Sequence, residues 1–306
     1  MANIISSLNI KLEAAKIRGI QMAIAEMYNH QTIRCPVHLS IGQEYWLPLL
    51  KILRSDKDRF FSSHRSHSIY LALSDDLDSY LSELYGLKEG VTNGRGGSMH
   101  LKSLKEGLEA SIPIVGSSIG LSLGSALSHK LLENNICRTI SYFGDGACEE
   151  GIFHESLNIA GVYDLPILFI CENNMYSCNT HIKRRQTSSD MNRFAKSHNI
   201  KNDRIEINEE LDSIIDKLKK AFKESSNSPY FLEINSYRLF EHCGHKLDRS
   251  TSDRNIEEFK FFEAQDRVSK WIKEDKLIRD SYDKAYQECI RRSKIFADET
   301  ISLKKI

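Results

Sequence analysis

Residues 137–174, CRTISYFGDGACEEGIFHESLNIAGVYDLPILFICENN, set the fold class of this chain. Thr139–Phe143 is short, β-branched and aromatic, which predicts a strand. A glycine-rich turn follows, and residues 152–160 then place apolar side chains at helical spacing, which predicts a helix. Leu165–Cys171 is a second apolar segment and predicts a second strand. Strand, helix and strand in so short a stretch indicate a βαβ unit with parallel strands and a right-handed crossover.

Polar side chains follow both predicted strands. Asp145 comes soon after the first strand and Asn174 soon after the second. Because parallel strands end at the same edge of a sheet, we expect these side chains to lie close together, where open α/β sheets bind ligands. Carboxylate and amide oxygens suit Mg²⁺, and backbone N–H groups at Gly146, Ala147 and the following helix N-terminus suit a phosphate. The stretch therefore predicts a magnesium–diphosphate site, although most isolated Gly-Asp-Gly sequences are only turns.

The same stretch resembles the thiamine diphosphate motif, which begins with Gly-Asp-Gly and ends with Asn-Asn. More closely, it is similar to the α subunit of the decarboxylating first component of 2-oxo acid dehydrogenase complexes, namely the pyruvate, branched-chain 2-oxo acid and acetoin dehydrogenases. The resemblance implies thiamine diphosphate and Mg²⁺ as cofactors. It also implies that Asp145, the Asn174 side chain and the Tyr176 carbonyl oxygen hold Mg²⁺, and that Gly146 and Ala147 contact the diphosphate.

The resemblance covers roughly residues 10–250 and implies an α/β fold, a three-layer parallel sheet with helices on both faces that is the thiamine diphosphate-binding fold. We therefore expect one thiamine diphosphate-binding α/β domain over residues 1–250. Residues 251–306 are charged and look helical, so we expect a helical C-terminal extension packed on the same domain.

Composition limits the class of protein. The 306 residues are 41% hydrophobic and 27% charged, which is ordinary for a soluble globular protein. Basic and acidic residues cancel at 42 each, so no overall field favours nucleic acid or an anionic membrane. No apolar run is long enough to span a membrane. The seven cysteines form no CxxC pair and the start shows no secretory signal, so we expect a cytoplasmic protein.

The segment Arg59–His67 predicts a short strand that ends in a cationic cluster. Arginine is a permanently charged, bidentate clamp for phosphate, although a solvated basic loop has the same pattern. By resemblance, Arg65 binds the cofactor diphosphate and His67 is an active-site histidine. His64 stands where relatives usually carry tyrosine, and we include it among the expected cofactor contacts.

Residues 112–132 carry Gly116, Gly120, Gly124 and Ser128 at intervals of four, which places them on one face of a predicted helix. A face of small residues allows a close backbone approach, either on this chain's own sheet or at a subunit interface. In the family, the backbone just before this helix meets the aminopyrimidine of the cofactor. The resemblance therefore points to Ile114 and Val115 as cofactor contacts.

Asn93–His100, NGRGGSMH, predicts a loop that a ligand, a partner or neighbouring backbone approaches closely, and it is very similar to a family signature. Residues 175–200 are polar and predict a loop beside the site, where relatives have an active-site loop that orders when cofactor binds. His38–Glu44 is also similar to a family segment, but local pattern predicts only a turn entering a helix.

The segment after the last predicted strand contains His242, Cys243 and His245, a pattern that suggests zinc but is too tightly spaced for good zinc geometry. By resemblance, His242 instead helps to bind the cofactor and works in the active site. Glu241 replaces the glycine that is usual in the family, and Cys243 replaces the usual serine. These departures put the choice of substrate in doubt.

Thiamine diphosphate acts through an ylide that attacks a carbonyl and accepts electrons on decarboxylation. Forming the ylide needs a glutamate that a second domain supplies. The 306 residues show only one such α/β unit, so by resemblance we expect a separate β subunit to supply the glutamate in a heterotetramer. The resemblance implies that the pair decarboxylates a small 2-oxo acid such as pyruvate and transfers the acyl group, with His242 and His67 assisting, to a lipoyl group on an acyltransferase. Two alternatives are a carboligase that transfers an acyl unit to an aldehyde or sugar ketone, and a non-catalytic assembly subunit.

Overall fold

The structure is a computed structural model and describes residues 6–132, 137–249 and 254–303. The chain forms two compact units. One unit contains Met1–Ile52, Arg65–Ser103 and Arg238–Ile306, and is called the helical unit below. The other contains Leu53–His64 and Leu104–Tyr237, and is called the sheet unit.

A single parallel sheet of six strands is the centre of the sheet unit. Its strands are β1 Arg59–Ser63, β2 Leu108–Ile112, β3 Thr139–Gly144, β4 Ile167–Asn173, β7 Lys201–Ile205 and β8 Tyr230–Asn235, with a separate two-stranded hairpin of β5 Tyr176–Ser177 and β6 Thr180–His181. The order across the sheet is β2-β1-β3-β4-β8-β7, and every neighbouring pair is parallel. Helices surround this sheet, namely α5 Ser117–Leu131, α6 Gly151–Val162, α7 Asn192–Ser197 and α8 Leu211–Glu224. The predicted α/β fold with a parallel, helix-covered sheet is therefore confirmed.

The predicted βαβ unit is present as β3, α6 and β4. Strands β3 and β4 pair from Thr139 opposite Ile167 to Gly144 opposite Glu172. Both strands are almost fully buried, as expected of parallel strands covered by helices. Phe143 of β3 and Phe153 of α6 pack edge to face with ring centroids 5.7 Å apart, which joins the helix to the sheet.

The edge strand β7 and the helix α7 lie in polar sequence that predicted neither element. Lys201–Ile205 pairs with β8 although its first four side chains are exposed or half-buried. An edge strand needs only one backbone partner and one apolar side, so its sequence lacks the apolar run that marks a buried strand. The predicted loop 175–200 is therefore partly wrong, because it also contains the hairpin and α7.

The small residues of α5 divide into distinct roles. Gly116 precedes the helix with a φ of 83°, a conformation that favours glycine, so it is not part of the predicted helix face. A Cβ added to Gly120 would lie 3.2 Å from the Ile152 side chain of α6, whereas one added to Gly124 would meet no described atom within 4 Å. Gly120 therefore serves packing within this chain, and the subunit-interface interpretation of this face stays a prediction.

Packing of the first helix on the last helix builds the helical unit. Its helices are α1 Ser7–Tyr28, α2 Pro48–Leu53, α3 His67–Leu73, α4 Leu77–Tyr85, α9 Ile256–Gln265, α10 Arg267–Glu274 and α11 Lys276–Leu303. A Cβ added to Gly19 of α1 would lie 2.5 Å from the backbone oxygen of Tyr282 in α11. The backbones of α1 and α11 therefore approach so closely that glycine is required at this position.

A buried ion-pair cluster also holds the helical unit together. The Arg18 guanidinium donates to both carboxylate oxygens of Glu44 at 2.6 and 2.8 Å and to both oxygens of Asp266 at 2.7 and 3.0 Å. Burial disfavours the charge of Arg18, but the two carboxylates raise its pKa well above the ordinary value. The segment His38–Glu44 therefore has a structural contact, because Glu44 binds Arg18 of α1, which also binds Asp266 at the start of α10.

The predicted domain boundary at residue 250 lies outside the described residues, and that division stays a prediction. The predicted helical character of residues 255–303 is confirmed by α9, α10 and α11. Within the described part of the chain, no helix is both long and apolar enough to cross a membrane.

We expect Asp266→Asn to lower the free energy of unfolding by about 1.5–3 kcal/mol at pH 7, the usual loss for hydrogen bonds to a charged group. Burial opposes the charge of Asp266, but Arg18 holds the pKa of that carboxyl below its ordinary 3.8. A depressed pKa stabilises the folded chain above the ordinary value, and this contribution is lost as pH falls through the folded-state pKa. The difference between wild type and variant should therefore shrink below about pH 4.

Urea denaturation of the full chain at several pH values measures this difference. The exposed Asp283→Asn on α11 is the matched control and should change stability by less than about 0.5 kcal/mol. A loss that is the same at pH 7 and at about pH 3 would contradict the ionic role of Asp266.

Candidate cofactor site

The end of β3 carries the first predicted metal ligand. The turn Asp145–Glu149 follows β3 directly, and Asp145 is 1% exposed. The pairing of Gly144 with Glu172 brings this turn level with the end of β4, where Asn173 and Asn174 lie. Asn174 is also buried, at 6% exposure. The fold therefore places both predicted side chains at the carboxyl edge of neighbouring strands, as the sequence predicts.

A left-handed residue shapes the second half of the site. Met175 has a φ of 69°, which is unusual for a residue other than glycine. The Asn173 side-chain oxygen accepts from the Met175 amide at 3.1 Å, and the Asn174 side-chain oxygen accepts from the Tyr176 amide at 3.1 Å. These contacts turn the chain sharply after β4 and bury Tyr176 at the start of the small hairpin.

The donor set of this edge fits a hard cation and a diphosphate. Asp145 offers a carboxylate, Asn174 an amide oxygen and Tyr176 a carbonyl, which are the oxygen ligands that Mg²⁺ accepts. Backbone amides of the turn and of α6 lie next to them. The helix α6 begins at the exposed Gly151, and a helix N-terminus is a general binding place for an anion.

Arg185 is a residue of this site that the sequence reasoning missed. Its Nη2 contacts Asp145 Oδ2 at 2.5 Å, its Nη1 pairs with Glu149, and its Nε donates to the Thr180 carbonyl at 3.0 Å. Burial raises the pKa of Asp145, and the Arg185 guanidinium opposes that rise. The sequence signal was the basic run at residues 183–185, which reads equally well as a solvated loop.

Glu233 of β8 is a second missed residue, and it holds Asn173 in place. It is fully buried and accepts from the Asn173 amide at 2.8 Å. The same carboxylate accepts from Arg204 of β7 at 2.9 Å. Burial raises the pKa of Glu233, while Asn173 and Arg204 act against that rise. Asn173 also donates to the Ser189 carbonyl at 3.1 Å, so one side chain ties the turn after β4 to the following loop.

Two further predicted residues lie between β2 and α5 in the sheet unit. Ile114 is 69% exposed and Val115 is 42% exposed, which is unusual for large apolar side chains. Their exposure leaves an apolar surface available to a ligand or partner. His64 follows β1 in the same unit and is half-buried. Each assignment stays a prediction.

The helical unit brings Arg65 and His242 together. The Arg65 guanidinium donates to the Leu39 carbonyl at 2.8 Å, to the His242 carbonyl at 3.0 Å and to His242 Nδ1 at 3.2 Å. Because a guanidinium only donates, Nδ1 must be the unprotonated nitrogen and Nε2 carries the hydrogen. His38 packs edge to face on His242 with ring centroids 5.1 Å apart. These three acceptors are neutral, so their hydrogen bonds orient the Arg65 guanidinium without cancelling its charge.

His67 is more deeply buried than its predicted catalytic role suggests. It is 0% exposed, and its Nδ1 lies 2.6 Å from the Tyr80 hydroxyl. Burial and the nearby Arg65 lower the pKa of His67 to about 3, so the imidazole is neutral near pH 7. Its Nε2 has no hydrogen-bond partner among the described residues. Any role of His67 in catalysis therefore belongs to the neutral ring, and that role stays a prediction.

The glycine-rich segment 93–100 is organised by Glu83 at the end of α4. The carboxylate accepts from the amides of Thr92, Gly94, Gly96 and Gly97 at 2.7–3.0 Å. Burial opposes its charge, but a hydrogen bond from the Thr92 hydroxyl and those from the amides lower the pKa of Glu83. A Cβ on Gly94 would lie 2.5 Å from the neighbouring backbone, so here the close approach comes from this chain's own fold.

Glu241, the residue that departs from the family pattern, has a local function. Its carboxylate accepts from the backbone amides of His245 at 2.9 Å and Lys246 at 3.1 Å. Glu241 therefore stabilises the turn that follows His242. The His245 ring packs on Tyr28 with centroids 5.3 Å apart, and Cys243 is exposed.

Comparison with known proteins shows which family the chain resembles. Residues 13–294 match the family described as "Dehydrogenase E1 component". The α subunit of the acetoin:2,6-dichlorophenolindophenol oxidoreductase of Bacillus subtilis (strain 168) is 30% identical over 245 residues, 79% of this chain and 73% of that protein. The pyruvate dehydrogenase E1 component subunit alpha of Rickettsia bellii (strain RML369-C) is 28% identical over 256 residues, 83% of this chain and 77% of that protein.

A solved structure shows the same fold at lower sequence identity. Transketolase from Leishmania mexicana superposes with a TM-score of 0.59 and 17% identity, covering 96% of this chain. The chain spans 46% of that transketolase, and identity this low is evidence for the fold alone.

We expect Asn173→Ala to destabilise the sheet unit by about 1–3 kcal/mol, because it removes the acceptor of the Met175 amide and a donor to buried Glu233. The loop at residues 186–192 should also become more sensitive to protease, since its tie through Ser189 is lost. Urea denaturation and limited proteolysis of the full chain measure the two effects. The exposed Asn208→Ala is the matched control, and an equal response of both variants would show that the Asn173 contacts contribute little.

Proposed function

The chain belongs to the dehydrogenase E1 component family, and we propose that it is the α subunit of a thiamine diphosphate- and Mg²⁺-dependent 2-oxo acid dehydrogenase. The enzyme decarboxylates a small 2-oxo acid of the pyruvate type and transfers the acyl group. One observation carries the proposal: in a chain that matches the family over residues 13–294, the buried Asp145 lies at the sheet edge beside the turn of Asn174 and Tyr176.

Three oxygen donors would hold the metal. Asp145 supplies the only formal charge among them, Asn174 a side-chain oxygen and Tyr176 a backbone oxygen, which leaves coordination positions for phosphate oxygens and water. The amides of Gly146 and Ala147 and the N-terminus of α6 would receive the diphosphate. When bound, thiamine diphosphate supplies a nucleophilic carbon and an electron sink for decarboxylation.

The remaining predicted site residues have separate proposed roles in binding and proton transfer. Arg65 would bind the diphosphate, and Ile114 and Val115 of the sheet unit would contact the aminopyrimidine, with His64 as a further cofactor contact. His242 carries its hydrogen on Nε2 and is half-buried, so it offers a donor to a reacting oxygen. His67 contributes as a neutral imidazole.

Partners follow from the nature of an α subunit. The sequence relatives are named as alpha subunits, which supports a separate β subunit as the partner. In our proposal that subunit supplies the activating glutamate in a heterotetramer, and a lipoyl-bearing acyltransferase accepts the acyl group. The seven cysteines all lie in the described part of the chain as free thiols, which supports the proposed cytoplasmic location.

The carboligase alternative has no specific support. The sequence relatives are named as oxidoreductase or dehydrogenase subunits, and the likeness to transketolase concerns the fold. Nothing in the contacts of Glu241 favours ligation either, because its carboxylate is bonded to its own turn. We therefore propose acyl transfer after decarboxylation as the reaction.

We expect Asp145→Asn to weaken Mg²⁺-dependent binding of thiamine diphosphate by at least about 100-fold, because it removes the charged metal ligand. The chain is co-expressed with its β subunit and titrated calorimetrically with thiamine diphosphate, with and without Mg²⁺. Circular dichroism checks that the variant stays folded. The exposed Glu155→Gln on α6 is the matched control and should bind the cofactor normally.

Two results would contradict the proposal. Normal cofactor binding by Asp145→Asn would show that the ligand assignment is wrong. Absence of cofactor binding by the wild-type pair would favour the non-catalytic assembly subunit.

A further inference from the structure

Arg185 lies beside Asp145, a proposed metal ligand whose buried carboxylate needs a counter-charge. Its guanidinium bridges Asp145 and Glu149, and its side chain is 9% exposed against 1% for Asp145. The bridge is therefore sheltered from water on the Asp145 side. Backbone hydrogen bonds hold the arginine there, because the amides of Arg185 and Gln186 both donate to the Ile182 carbonyl, at 2.9 and 2.8 Å.

Further hydrogen bonds hold the same loop next to Asp145. The Gln186 side chain donates to the backbone oxygen of Asp145 at 3.4 Å and to Glu149 at 3.0 Å. Arg193 donates in turn to the Gln186 side-chain oxygen at 2.9 Å. Arg185 and Gln186 thus both contact the turn after β3, and Arg193 holds Gln186 in place.

The buried charge of Asp145 gives Arg185 a specific electrostatic role. A buried carboxylate without a counter-ion loses its hydration and gains nothing in return. Arg185 supplies that counter-charge here. A divalent cation on Asp145 would supply twice the charge, and a guanidinium that stays in contact with Oδ2 of the same carboxylate would then repel the metal. Metal and guanidinium therefore compete for one carboxylate.

We propose that Arg185 is the stand-in cation of the metal site: it compensates Asp145 before Mg²⁺ binds and gives up that contact when Mg²⁺ arrives. Glu149 keeps the displaced guanidinium close by, because it is bonded to the other nitrogen of Arg185 and is itself more exposed, at 32%. The metal affinity of this chain is then set by a competition with its own arginine. This inference rests on the metal site of the proposed function.

Mn²⁺ alone tests the competition, since its free-ion electron paramagnetic resonance signal reports binding without any enzyme activity. The full chain is titrated with Mn²⁺ as wild type, as Arg185→Gln and as Lys183→Gln. Lys183 is an exposed residue of the same loop, so Lys183→Gln removes an equal charge without touching Asp145. If Arg185 contacts Asp145 in most metal-free molecules, Arg185→Gln should tighten Mn²⁺ binding about tenfold or more. Lys183→Gln should change binding by less than about twofold, because an exposed charge is screened.

Thermal unfolding is the second readout. Without metal, Arg185→Gln should melt below wild type, because Asp145 loses its counter-charge. Saturating Mn²⁺ should raise the melting temperature of Arg185→Gln more than that of wild type. If Arg185→Gln does not fold, Arg185→Met keeps the length of the side chain without its charge and carries the same expectation.

The outcomes separate this inference from the proposed function. Unchanged or weaker Mn²⁺ binding by Arg185→Gln, with binding still lost in Asp145→Asn, would overturn the role of Arg185 and leave the metal site intact. Mn²⁺ binding that persists in Asp145→Asn would instead overturn the metal site itself, and the inference would fall with it.

Discussion

The parallel pairing of β3 with β4 is the constraint on which the site depends. Because Gly144 stands opposite Glu172, the next residues of both strands reach the same sheet edge, and Asp145 emerges beside the turn of Asn174. A slip of one residue would turn every side chain of one strand to the opposite face and separate Asp145 from Asn174. The buried aromatic contacts of Phe143 with Phe153 hold this pairing by joining β3 to its crossover helix.

Hydrogen bonds and ion pairs stabilise buried carboxylates at several places in the chain. Buried carboxylates are held there by arginine, by amides or by both, and each pairing fixes a segment that local sequence leaves undetermined. Glu83 gathers the amides of the glycine-rich segment, and Asp266 joins Glu44 on Arg18 to bind α10 to α1. At the candidate site the equivalent pairing is Asp145 with Arg185. This last pairing differs from the others because its carboxylate is the expected ligand of a metal.

The residues next to Asp145 and Asn174 therefore have different roles. Asn173 and Glu233 support the turn after β4. A metal bound to Asp145 would leave the hydrogen bond between them undisturbed. Arg185 lies on the ligand side and makes a contact that a metal would replace. In the helical unit, considered by itself, Arg65 orients His242 so that its hydrogen lies on Nε2. Glu241 acts on the turn after His242, because its carboxylate accepts hydrogen bonds from the amides of His245 and Lys246.

The βαβ unit, the edge position of Asp145 and Asn174 and the helical C-terminal region could all be predicted from residues 137–174 and from apolar spacing, because these features depend on neighbours along the chain. The edge strand β7 and the contacts of Glu83, Glu233 and Arg185 could not. Arg185 lies 40 residues from Asp145, and its basic run has the composition of a solvated loop. A counter-ion is selected by burial and distance in the folded chain, and neither quantity leaves a periodic pattern in the sequence.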